Sequence, residues 1–169
     1  MKKTFQVLNE MVRDGVIENY AIAGAIGATF YVEPFATQDI DALVMMPETK
    51  GGLITEIPGW EYLQKRGYTE IRDESIVVAG WPLQFIPVSD ALEKEAYLNA
   101  DVFSVEETTV RVVLAEHLVA IMLKLGRAKD VARIEMFLSQ DAVDRETLLD
   151  IIKRHGLEEK LGRFKSSFQ

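Results

Sequence analysis

Apolar side chains recur at roughly helical spacing between residues 4 and 18, at Phe5, Leu8, Met11, Val12 and Ile17, which predicts an amphipathic helix fraying near Gly15. Tyr20-Ala21-Ile22-Ala23-Gly24 is a short apolar run with the length of a buried strand, and Gly24 to Tyr31 is small and apolar enough for a tightly packed helix. Asp39 to Met46 reads as a second strand ended by Pro47, and the glycines and proline between 47 and 59 mark a loop. Trp60 to Arg66 predicts a short helix closed by Gly67. Ser75 to Ala79 and Leu83 to Val88 read as strands flanking a turn at Gly80-Trp81-Pro82, and Ser89-Asp90 as the cap of a helix reaching Leu98. The segments 102–105 and 109–113 are β-rich. From Ala115 onward the period is helical, with stripes at Leu118/Ile121/Met122/Leu125, Val131/Ile134/Phe137/Leu138 and Leu148/Ile151/Ile152, the last closed by Gly156. This pattern predicts an α/β (α+β) fold: a small mixed sheet with helices on one face over residues 1–113, and a C-terminal helical segment over 114–169 packed on it.

Composition narrows the class. The 169 residues are 48% hydrophobic, too apolar for a disordered chain, and fit one compact domain or a core with a small appendage. Without cysteine there is no disulfide framework, thiol nucleophile or Cys-ligated zinc, so a metal ion would be held by oxygen, which points to Mg²⁺ or Mn²⁺. No apolar run reaches the ~18 residues of a membrane span, and Asn9, Glu10, Arg13 and Asp14 interrupt any signal-peptide core, so a cytoplasmic protein is expected. The net charge of −8 disfavours duplex binding through overall charge, although Lys124, Arg127 and Lys129 concentrate positive charge in the helical segment.

The chemistry-bearing stretch runs from Gly24-Ala25 to Thr37-Gln38-Asp39-Ile40-Asp41. Carboxylates two apart on a strand project from one face, with Cα atoms roughly 6.5–7 Å apart, close enough to share a cation. Mg²⁺ takes such hard oxygen ligands and shares its shell with substrate phosphates. A glycine at a strand–helix junction lets the backbone approach a phosphate. Solvent exposure on an edge strand for the two Asp, a plain turn for Gly24 and a solvated helix row for Lys129 and Arg133 are the alternative readings. His117 reads as a helix residue without catalytic duty, and His155 as a helix-end residue favoured by the dipole.

Gly24-Ala25 at a strand–helix junction, followed by the Asp39-x-Asp41 strand, resembles the Gly-Gly or Gly-Ser and Asp-x-Asp signature of the nucleotidyltransferase superfamily of DNA polymerase β-like proteins. In particular, the chain looks like the AbiEii-type toxins and minimal nucleotidyltransferases. Glu116-His117-Leu118 through Lys124, then Arg127 and Lys129-Asp130, resembles the helix and Arg-x-Lys-Asp segment of those proteins. The resemblance implies a nucleotidyltransferase-like core binding NTP with Mg²⁺ or Mn²⁺, Asp39 and Asp41 acting as metal-holding catalytic residues. Gly24, Ala25, Thr37, Lys124 and Lys129 would then contact the nucleotide. It further implies transfer of a nucleoside monophosphate to a hydroxyl of RNA, protein or a small molecule, and a toxin role with an antitoxin partner.

Two positions depart from the pattern. Ala25 stands where Gly or Ser is common and offers no hydroxyl. Gln84, in Pro82-Leu83-Gln84-Phe85-Ile86-Pro87, stands at the third position, where active members carry another Asp. A neutral amide is no general base. The alternative is therefore a catalytically degenerate binding or regulatory module. A plain structural protein would bind no metal.

Overall fold

Strict alternation builds the central strands. In β2 (Ile40–Val44), Ile40, Ala42 and Val44 enter the core on one face of the sheet and Leu43 the core on the other. In β5 (Trp81–Pro87), Leu83 and Phe85 join the first core and Ile86 packs on the second. The computed structural model describes residues 1–34, 36–37, 39–46 and 59–168. Most of the loop expected over residues 47–59, with the strand-ending Pro47, lies outside them.

These strands belong to a seven-stranded mixed sheet ordered β3-β4-β5-β2-β1-β7-β6, completed by β1 (Ala21–Ile22), β3 (Ile71–Arg72), β4 (Ser75–Val78), β6 (Asp101–Val105) and β7 (Thr108–Val112). β2 lies antiparallel to β1 and parallel to β5, in a register that pairs Asp41 with Gln84. Helices cover both faces of the sheet, not one as the sequence pattern suggested. Helices α1 (Lys2–Arg13) and α3 (Gly59–Lys65) cover the first face with Phe5, Leu8, Met11 and Leu63, each fully buried. Each such side chain contributes roughly 1.5–3 kcal/mol by leaving water. The other face carries α4 (Ala91–Leu98) and α5 (Ala115–Leu125), with α6 (Ala128–Ser139) and α7 (Arg145–Arg154) packed on α5 and a 3₁₀ segment Glu158–Phe168 after them. The α/β class with a C-terminal helical segment is therefore the observed one.

Local chemistry sets the element ends. Asp90 caps α4 by accepting the Glu93 N–H at 2.9 Å, and Asp144 caps α7 by accepting that of Thr147 at 2.8 Å. The β4–β5 turn starts one residue earlier and ends two residues earlier than Gly80-Trp81-Pro82 suggested. It is Ala79-Gly80, with φ of 50° and 87°, and Trp81 already pairs with Val78. Two successive positive φ values match the twist of a tight hairpin better than a proline turn does. Strand β3 had no sequence signal, being two exposed residues. Glu95 ties three helices together: its carboxylate accepts from His117 of α5 at 3.1 Å, from His155 at 2.8 Å and from Arg154 at 2.7 and 2.8 Å. Arg154 first, then His155 and His117, hold this carboxyl well below the usual range. Both histidines are thus structural partners of one acid. Among the described residues, no helix is long and apolar enough to cross a membrane.

Candidate functional site

The chain leaves β1 through Ala23, whose N–H donates to the Asp41 carbonyl at 2.8 Å, and turns at Gly24 into the short helix α2 (Gly24–Ala28). Gly24 has φ of +58°, and a Cβ there would lie 1.8 Å from Asp41 Oδ2 and 2.8 Å from its Cγ. Glycine is required on both counts, by the left-handed backbone and by the closeness of the carboxylate. That closeness brings the glycine junction and the Asp-x-Asp strand, fourteen or more residues apart in sequence, into contact.

Gly24, Ala25, Thr37, Asp39 and Asp41 border one cavity of about 350 Å³. The Thr37 hydroxyl donates to Asp39 Oδ1 at 3.1 Å and so orients that carboxylate. Burial, then the charge of Asp39, push the Asp41 carboxyl above its ordinary value, while Arg127, Lys129 and Arg133 act in the opposite direction. A cation would relieve the same strain. Gln84 borders the cavity beside Asp41, and its Nε2 donates to Glu74 Oε2 at 2.9 Å.

The opposite wall comes from the C-terminal helices. Leu118, Ile121, Met122 and Leu125 form its apolar part, and Arg127, Lys129 and Arg133 its basic part. Asp130, with no exposed surface, accepts from Arg127 Nε at 2.7 Å and Nη2 at 3.2 Å, and lies 3.5 Å from Arg133. The hydrogen bond to Asp130 chiefly raises the Arg127 pKa, and Asp41 and Asp39 add to it. The guanidinium therefore feels both carboxylates across the cavity. The sequence marks Arg127 as part of a basic cluster with Lys124 and Lys129, but gives Arg133 only as part of a solvated helix row. The spacing of three from Asp130 to each arginine was the available signal.

Lys124 is placed differently from the expectation. The cavity takes the 118/121/122/125 stripe of α5, and residue 124 falls off that stripe. Its ammonium binds Asp90 at 2.6 Å and Glu93 at 2.5 Å instead. Of the expected nucleotide contacts the cavity thus gathers Gly24, Ala25, Thr37 and Lys129, but not Lys124.

Two carboxylates on one wall suit a divalent ion that fills its remaining shell with phosphate and water. Among the described residues, no group of three or more His, Asp or Glu side chains is arranged to hold a metal. The residues fit an ion that arrives with an anionic ligand better than one held by protein alone.

No protein-family model matches the chain, and no curated protein matches it in sequence. Its backbone is similar to the crystal structure of an antigenic nucleotidyltransferase-like protein from Paracoccidioides brasiliensis. The TM-score is 0.59 at 15% identity, over 99% of this chain and 91% of that one. The two chains share a fold. At that identity the likeness concerns fold alone, and the chemistry has to be argued from the cavity.

Proposed function

We propose that the cavity binds a nucleoside triphosphate together with Mg²⁺ and directs transfer of the nucleoside monophosphate to a hydroxyl acceptor. The observation that carries this reading is the meeting of opposites in one 350 Å³ space: Asp39 and Asp41 on one wall, Arg127, Lys129 and Arg133 on the other. Asp39 and Asp41 would hold the ion, which supplies charge neutralisation for the phosphates. Arg127 and Lys129 face the outer phosphate charge, and Asp130 keeps Arg127 aimed there by a two-point hydrogen bond. The first-turn N–H groups of α2, at Gly24 and Ala25, have no intrahelical acceptor and are suited to a phosphate oxygen. Calorimetric titration of each NTP tests the reading. Binding that requires Mg²⁺ and is lost in Asp39→Asn supports it; equal affinity in that variant refutes it.

Gln84 favours a second reading, a binding module without transfer, because it pairs with Asp41 where a third carboxylate would stand. Transfer of α-³²P label from the four NTPs separates the two. The sequence resemblance to AbiEii-type toxins extends the proposal to a toxin paired with a protein antitoxin. Growth arrest on induction of the wild-type chain, absent with Asp41→Asn, is the corresponding test.

A further inference from the structure

A second space opens on the far side of Asp39 and Gln84. It is a broad groove of about 840 Å³, with Arg72, Asp73, Glu74 and Trp81 on its other margins. The two spaces share Asp39 and Gln84 and differ in charge. The inner cavity carries the basic residues of α6. The groove carries Asp73 and Glu74, while its Arg72 is engaged by Glu70 at 2.7 Å. A triphosphate suits the inner cavity, which leaves the groove as the approach for the hydroxyl acceptor.

Glu74 reaches this boundary through a two-residue turn. Arg72 pairs with Ser75 across the β3–β4 hairpin, and Asp73 takes φ of 51°, which carries Glu74 out over β5. The Nε2 of Gln84 then fixes one oxygen of the Glu74 carboxylate at 2.9 Å. Position 84 thus lacks a carboxylate of its own and grips one from the neighbouring hairpin. Glu74 borders the groove together with Asp39 and Gln84, where a carboxylate can act as a base toward an entering hydroxyl. We propose that Glu74, held by Gln84, takes the proton of the attacking hydroxyl. This rests on the transfer reaction proposed above.

In that step the acceptor O–H proton passes to the Glu74 carboxylate as the acceptor oxygen bonds to the α-phosphorus. The bond between that phosphorus and the bridging oxygen breaks, and diphosphate leaves with the electron pair. Glu74 lies exposed at the turn and returns the proton to solvent.

The test uses the full chain, α-³²P-labelled NTP with Mg²⁺, and glycerol and bulk RNA as hydroxyl sources, with NTP affinity measured separately by calorimetry. General-base removal predicts that Glu74→Gln lowers transfer by about 10²–10⁴-fold while NTP affinity stays within about two-fold. Gln84→Asp added to Glu74→Gln places a carboxylate directly on β5 and is expected to restore transfer at least tenfold (about 1.4 kcal/mol of barrier). A Glu74→Gln protein that binds NTP and transfers at the wild-type rate overturns the assignment. A wild-type chain that binds NTP but labels neither acceptor nor itself overturns it as well. Loss of NTP binding in the wild type overturns instead the reading on which it rests.

Discussion

Replacing Gly24 by alanine probes the contact on which the site depends. Two costs follow from the geometry. An L residue at φ of +58° takes on a left-handed penalty of roughly 1–2 kcal/mol. Its Cβ would also stand 1.8 Å from Asp41 Oδ2, about 1.6 Å short of van der Waals contact. The side chain of Asp41 must retreat by that amount or the α2 junction must open. Metal–ligand distances tolerate only about 0.2 Å, so the retreat removes Asp41 from any shared ion. The backbone term lowers the melting temperature by about 2–8 °C for a chain of this size, and NTP–Mg²⁺ affinity falls by at least about 10–100-fold. Gly67→Ala is the control, since Gly67 has φ of +88° with nothing within 4 Å of a Cβ. It carries the backbone cost and leaves binding intact. Thermal melts and calorimetry on both variants make the comparison. Wild-type affinity in Gly24→Ala would refute the reasoning.

Further outcomes follow from the same geometry. Asp41→Asn removes a half-buried charge that Asp39 repels, so the metal-free variant melts at or above the wild-type temperature at neutral pH while losing Mg²⁺-dependent binding; a large drop in melting temperature would contradict this. Asp130→Ala strips the buried partner of Arg127 and Arg133 and costs about 2–3 kcal/mol in chemical denaturation. That is less than the ~3–5 for a fully buried pair because much of Arg127 remains in solvent. Glu95 sets an acid limb. Its folded carboxyl lies below the ordinary value, so the unfolded chain binds the proton more readily. The stability it lends is present above the ordinary Glu value of about 4.3 and drains away as pH falls below it. Glu95→Gln flattens that limb in melts recorded between neutral and acidic pH; an unchanged limb would show that other carboxylates set it.

What the sequence revealed and what it hid have physical causes. The helical stripes of α1 and α5–α7 were legible because each buries one continuous face. The α4 cap was legible because Asp90 bonds within one turn. The resemblance placed Gln84 beside Asp41, as the β2–β5 register has it, but other interactions joining distant segments were not legible. Nothing in the spacing of Gly24 and Asp41 foretold the contact between them, and nothing near Gln84 announced Glu74, which arrives through a turn ten residues earlier. Lys124 is a different case, since its partner Glu93 itself borders the cavity. A lysine at a helix end reads as a phosphate contact until its angular position is known, and that position turns it to Asp90 and Glu93. The fold class emerged from periodicity. The charge complementarity of the cavity depends on α6 packing on α5 so that Arg127, Lys129 and Arg133 border the same space as Asp39 and Asp41, which no local pattern records.

In the proposed function, the cavity between Asp39, Asp41 and the start of α6 holds a nucleotide with its metal ion. A crystal structure of the chain with Mn²⁺ and a non-hydrolysable NTP, recorded at the manganese absorption edge, tests it most directly. The expected result is an anomalous peak bounded by the Asp39 and Asp41 carboxylates, with the phosphates extending toward Arg127 and Lys129. Nucleotide bound elsewhere, or manganese away from both carboxylates, would contradict it.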